Sequence, residues 1–171
     1  MALRTIRTFP DPVLKKKSAP VDRITADIVG LLDDMAETMY AANGVGLAAP
    51  QVGHSVRAIV VDADREHRGE YVHKLINPRI VDRRGTIEFE EGCLSLPDLV
   101  VKVTRAKEVR VEAMLPDGST TVIEADDLFS IALQHEIDHL DGILLTDRLS
   151  SLKRSRYKQK RLKELEETRV A

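Results

Sequence analysis

One pentapeptide restricts the possible folds of this chain more than any other feature: His135-Glu136-Ile137-Asp138-His139. Two histidines four residues apart share a face only on an α-helix, where their Cβ atoms lie about 5–6 Å apart. Two imidazoles so placed can grip one tetrahedral ion. A glutamate between them then sits beside the ion without ligating it, where it can handle the proton of a bound water. The flanking residues carry the helical period. Asp126 or Asp127 can cap a helix that runs to about Asp141, with Gly142 just past its end. Leu128, Ala132, His135 and His139 step by four, three and four, so they form one stripe, bordered by Ile131. The face that binds the ion thus continues into an apolar patch, which suits a site for a hydrophobic side chain.

Two ligands are too few. A catalytic site takes three protein ligands and one open position, and a structural site takes four. No histidine follows His139, and Glu164, Glu166 and Glu167 belong to a charged terminal segment, a poor source. Upstream stand His54, His67, His73 and Cys93. His67 and His73 flank a polar, charged stretch and read as solvated. Cys93 is the single cysteine, so it cannot form an internal disulfide. A lone cysteine is usually a small buried hydrophobe, but beside an unfilled metal position it becomes the best candidate for the third ligand.

The rest of the chain reads as one α+β unit over residues 1–171, with mainly antiparallel strands around a central H-E-x-x-H helix. Ile28, Leu31, Leu32, Met35 and Met39 recur at helical steps, with Thr25 as N-cap and Asn43-Gly44 as the stop. Residues 56–61, 75–76, 80–81 and 99–103 are short β-branched runs. Val109, Val111, Ala113 and Leu115 alternate with charged residues, and Pro116-Asp117-Gly118-Ser119 turns the chain into Thr121-Val122-Ile123, a hairpin pattern. A last, basic helix occupies residues 148–171, starting near Ser150 or Ser151. The strands cluster between helices instead of alternating with them, which points to antiparallel pairing.

Composition excludes several classes. No window approaches the roughly 18 apolar residues of a membrane span, and the N-terminus lacks the apolar run of a signal peptide. The cytoplasm is therefore the expected location. A net charge of -2 gives no global drive toward DNA or membrane. With no Trp and 4% aromatics, base stacking is a poor basis for function. The glycine-rich stretch Gly44–Gly53 lacks the lysine of a phosphate loop and follows a helix, which disfavours nucleotide binding. It does let backbone approach a ligand, and Gln51 supplies an uncharged amide donor.

Taken together, Gly44 to Gln51, Glu91 to Ser95 and His135 to His139 resemble the three motifs of the peptide deformylases, G-φ-G-L-A-A-x-Q, E-G-C-L-S and H-E-x-D-H, where φ is apolar, in that order and without departure. The resemblance implies a hydrolase acting on a linear amide, which removes the N-formyl group from the N-terminal formylmethionine of newly made proteins. It implies Cys93, His135 and His139 as metal ligands. A metal-bound water is then the nucleophile, with Glu136 as general acid/base, and Gln51 and the Leu94 N–H receive the oxyanion. Gly46 would bond the substrate backbone. Val45, Phe89, Leu128, Ile131, Ala132 and the His135 ring would wall the methionine pocket. The implied ion is iron(II), with zinc, nickel or cobalt able to fill the site. Two rival readings make different demands. An endopeptidase predicts a third ligand downstream of His139, and a nucleic-acid-binding protein with a structural ion predicts four ligands and no need for Glu136.

The tail has its own charge. Seven basic residues and no acid lie between Lys153 and Lys163. Residues 153–171 carry a net +5, and the remainder carries -7. A solvated helix face accounts for this; so does docking on the ribosome, which the resemblance also suggests.

Overall fold

The computed structural model describes residues 2–170. Its frame is a five-stranded antiparallel sheet in the order β1 (Gly46–Ala48), β2 (Ala58–Val61), β3 (His73–Arg84), β6 (Glu108–Met114), β7 (Thr120–Asp126). All four residues of β2 are buried, because a helix covers each face of the sheet. On one side α1 (Ala26–Ala41) packs Leu31, Leu32, Met35 and Met39 against Leu47, Ala58, Val60 and Ile76. On the other, α2 (Asp127–Leu140) packs Ala132, Leu133, Ile137 and Leu140 against Ala48, Ile59, Val61, Leu75, Val109 and Val111. Successive residues of β1 and β2 go to opposite helices, as a period of two requires.

A separate hairpin, β4 (Ile87–Cys93) with β5 (Leu96–Arg105), closes at Cys93 opposite Leu96. Leu96, Val101 and Val103 pack there with Leu14, Leu144, Leu145 and Tyr157 in a third cluster. Tyr157 belongs to α3 (Ser151–Val170). The architecture is α+β, with antiparallel pairing throughout both sheets.

Local signals explain most boundaries. The Thr25 hydroxyl accepts from Ile28 N at 3.3 Å, as an N-cap should. Past the end of α1, Asn43 takes φ 57°. The 108–126 hairpin turns where expected, with Leu115 N donating to Ser119 O and Asp117 Oδ1 accepting Ser119 N. Gly142 has φ 71°, and a Cβ there would stand 2.5 Å from Lys15 O, so only glycine lets the chain leave α2.

Three expectations need correction, and one short strand was not foreseen. Asp126 occupies the N-cap position of α2, but its side chain caps nothing; the start is instead tied by Asp127 N donating to Lys107 O at 3.0 Å. The short runs at 75–76 and 80–81 are one twelve-residue strand, β3. Its middle is disguised by Asn77, whose φ is 51° and whose side chain pairs with both Val21 backbone groups. The stretch after α1 holds a short strand, β1, before a 3-10 turn at Ala49–Val52. The last helix begins at Ser151, the start expected near Ser150 or Ser151, and not at 148, because Leu145–Arg148 form a 3-10 turn of their own. Among the described residues no helix is long and apolar enough to cross a membrane.

Candidate metal centre

Helix α2 and the closed end of the β4–β5 hairpin meet at the edge of the sheet. The helix brings His135 and His139 side by side, with ring centroids 5.0 Å apart. The hairpin brings Cys93, whose Sγ lies 3.3 Å from His139 Nε2. One ligand atom from each of Cys93, His135 and His139 falls within 4.8 Å of the others. A thiol and two imidazoles converging on one point fit a divalent ion of the first transition row. Three donors leave one tetrahedral position open, the pattern of a catalytic site.

The surroundings orient these donors. His135 Nδ1 lies 2.9 Å from Glu91 Oε1, which leaves Nε2 for an ion. Glu91 is gripped by Arg105 through two bonds of 2.6 and 2.9 Å. Arg105 also reaches Asp138 of α2 at 2.9 Å, and Asp138 accepts from Arg148 at 3.2 Å. Burial alone would raise the Glu91 pKa; the hydrogen bonds from His135 and Arg105 outweigh it and hold the carboxyl below its usual value. Burial also opposes the His135 imidazolium, but the Cys93 thiol, the Glu136 charge and Glu91 together lift it well above the ordinary histidine range. His139, buried and beside that charge, falls well below it. The donor set thus concentrates negative potential on the spot where a cation would replace the His135 proton.

Glu136 is 4% exposed, and its Oε1 is buried with no hydrogen-bond partner among the described residues. Burial pushes its pKa up to about 7, which suits a group that must both take and give a proton near neutrality. Gly46 lies against it: a Cβ at that position would stand 2.7 Å from Glu136 Oε2.

Gln51 is 1% exposed in the 3-10 turn after β1. Its Oε1 accepts Ala48 N at 2.9 Å. The amide NH2 therefore faces the centre, 3.0 Å from Ser95 Oγ and 3.6 Å from Cys93 Sγ.

These groups open into a cleft of about 430 Å³. Val45, Gly46, Phe89, Leu128, Ile131 and Ala132 all line it, together with Gln51, Cys93, Leu94, His135 and Glu136. His139, 2% exposed, sits behind the wall. The sequence reading missed the Glu91–Arg105–Asp138 chain: Glu91 and Asp138 stand inside the motifs, but nothing in the sequence links Arg105 to them. It also missed Arg65 on the rim. His67 is exposed beside Asp64, as expected. His73 is not simply solvated. It is packed between the Tyr71 and Phe129 rings, each 4.7 Å away, because β3 carries it onto the flank of α2.

A family model described as polypeptide deformylase matches residues 3–155. A relative named peptide deformylase from Thermodesulfovibrio yellowstonii is 49% identical over 160 residues, covering 94% of this chain and 97% of its own. The crystal structure of a peptide deformylase from Legionella pneumophila superposes with TM-score 0.88 at 41% identity, over 96% of this chain and 98% of that one. That of the Ehrlichia chaffeensis peptide deformylase in complex with actinonin gives 0.89 at 36% identity, over 96% and 98%.

Proposed function

The chain belongs to the peptide deformylase family, and from that membership we propose how its own residues carry out the family's reaction. It is a hydrolase that removes the N-formyl group from N-formylmethionine of nascent peptides, and its family is metal-dependent. Cys93, His135 and His139 hold the ion, which we take to be iron(II), with zinc, nickel or cobalt able to substitute. When bound, the ion supplies Lewis acidity, polarising the formyl oxygen and lowering the pKa of water toward neutrality.

The protein's own groups do the rest. Glu136 takes the proton of the attacking water and delivers it to the leaving amine, so that formate and a free N-terminus result. The Gln51 NH2 and the Leu94 N–H donate to the developing oxyanion, each worth about 3 kcal/mol. Val45, Phe89, Leu128, Ile131, Ala132 and the His135 ring receive the methionine side chain, an apolar wall for an unbranched apolar group. The peptide adds as a strand beside residues 44–46 or 88–90, with Gly46 bonding its backbone. This reads main chain and tolerates sequence beyond the methionine. Residues 1–171 act as a single domain in the cytoplasm, and the basic face of α3 docks on the ribosome.

One observation supports this reading above the rest: three donor atoms within 4.8 Å beside a buried carboxylate without a partner among the described residues. The test is formate release from formyl-Met-Ala-Ser by metal-loaded protein under anaerobic conditions. Glu136→Gln should retain the ion and lose about 10²- to 10⁴-fold in turnover. Cys93→Ala should lose the ion. A loaded wild type that releases no formate overturns the assignment.

A further inference from the structure

We propose that Arg65 makes this enzyme prefer N-formylmethionyl peptides bearing an acidic side chain one or two residues after the methionine. The proposal rests on the deformylase reading and refines its substrate class.

Among the described residues, Arg65 is the sole lysine or arginine lining the cleft. It is exposed and makes no ion pair among them, whereas its charged neighbours Asp64 and Arg68 are engaged. Asp64 Oδ1 accepts the N–H groups of Glu66 and His67, and Asp64 Oδ2 meets the His67 ring. Arg68 donates to Asp62 O and Gly44 O and lies 4.9 Å over the Tyr40 ring.

The loop that carries Arg65 is fixed at both ends. Asp62 Oδ1 accepts Asp64 N, and Asp62 Oδ2 accepts Gly69 N and the Tyr40 hydroxyl, at 3.2, 2.9 and 2.6 Å. Asp62 N donates to Val45 O at 2.9 Å, and Arg68 ties the far end to Gly44. Arg65 is thus an unpaired cation on a loop tied at both ends, joined through Asp62 and Arg68 to the 44–46 segment, where Gly46 is proposed to bond the peptide backbone. A side chain pointing from that backbone toward the loop meets Arg65.

The acids of the cleft do not cancel it. Glu91 is occupied by Arg105 and His135, Glu136 is buried in the centre, and Asp98 stands on the β5 side. The remainder of the chain outside the tail carries a net -7, so Arg65 is a local cation in an acidic body. An exposed ion pair supports a preference of about two- to five-fold.

The experiment compares kcat/KM for amidated peptides differing only in charge: formyl-Met-Glu-Ala against formyl-Met-Gln-Ala, and formyl-Met-Ala-Glu against formyl-Met-Ala-Gln. The readout is the Glu/Gln ratio within each variant, so a general loss of activity cancels. Wild type should favour Glu in at least one series by about two- to five-fold, and the ratio should shrink with added salt. Arg65→Ala should bring the ratio to about one, Arg65→Lys should keep it above one, and Arg65→Glu should invert it. A wild-type ratio of one in both series, or a ratio indifferent to residue 65, overturns the assignment. Failure to hydrolyse even the Gln peptides overturns the parent reading instead.

Discussion

Position 46 has no room for a β-carbon. One built there would lie 2.7, 2.8 and 2.9 Å from Glu136 Oε2, Cγ and Cδ. Glu136 cannot yield easily, because it is buried on a helix whose next turn carries His139. Gly46→Ala therefore displaces the proton-handling carboxylate while leaving both hydrophobic faces of the sheet intact. We expect kcat to fall about 10- to 100-fold, the scale of a misplacement near 1 Å, with little change in the thermal unfolding midpoint. Formate release and thermal melts on the same preparation check this, and undiminished kcat would refute it. The glycine was visible in the sequence as part of a motif, but its reason was not, since the atom that excludes a side chain lies 90 residues along the chain. Glu91 shows the same limit. Its place beside Cys93 was legible, but its duty to His135 depends on where two other elements set their side chains.

Between elements, Arg105 joins the hairpin to α2. It is 7% exposed, holds Glu91 bidentately and reaches Asp138. Arg105→Met leaves the Glu91 charge buried without its main partner, which costs about 3–5 kcal/mol near neutral pH. The sign with pH follows from Glu91. Its native pKa is held below the usual value, so its contribution is full above the unfolded pKa and is lost as pH falls through the depressed native one. The gap between wild type and Arg105→Met should therefore narrow on acidification. Urea unfolding at pH 7 and near pH 4 measures it, and a constant gap would show that Arg105 acts by packing alone. Sequence reading found α1, α2 and the β6–β7 hairpin because each keeps one period and ends on its own cap or turn. It passed over β4, where Glu88, Phe89 and Glu90 are all exposed and the alternation has no buried face to announce it. It split β3 at Asn77-Pro78 because the bonds that hold Asn77 come from Val21, before the start of α1.

For the molecule as a whole, a net charge of -2 conceals an acidic body and a basic helix. Whether that helix packs or projects was not legible, because its anchors lie far away in sequence. The Tyr157 hydroxyl donates to Pro97 O at 2.8 Å, and Arg161 donates to Phe9 O and Thr8 Oγ1 at 3.0 and 2.9 Å. Both side chains are buried, so α3 is part of the third hydrophobic cluster. Lys153, Arg156, Lys158 and Lys163 are exposed. The same helix thus serves the fold with one face and offers cations with the rest. Cutting the chain after Ser150 removes both functions at once, and the unfolding midpoint should drop. Replacing Lys153, Arg156, Lys158 and Lys163 with glutamine separates them. The midpoint and turnover on short formyl peptides should hold. Affinity for ribosomes should fall, and its dependence on log salt should flatten by about 0.7–0.9 for each phosphate that the helix no longer neutralises. Co-sedimentation with ribosomes across a salt series reads both quantities. Equal affinity and equal slope in the substituted protein would leave the charge of α3 as a solvated face and nothing more.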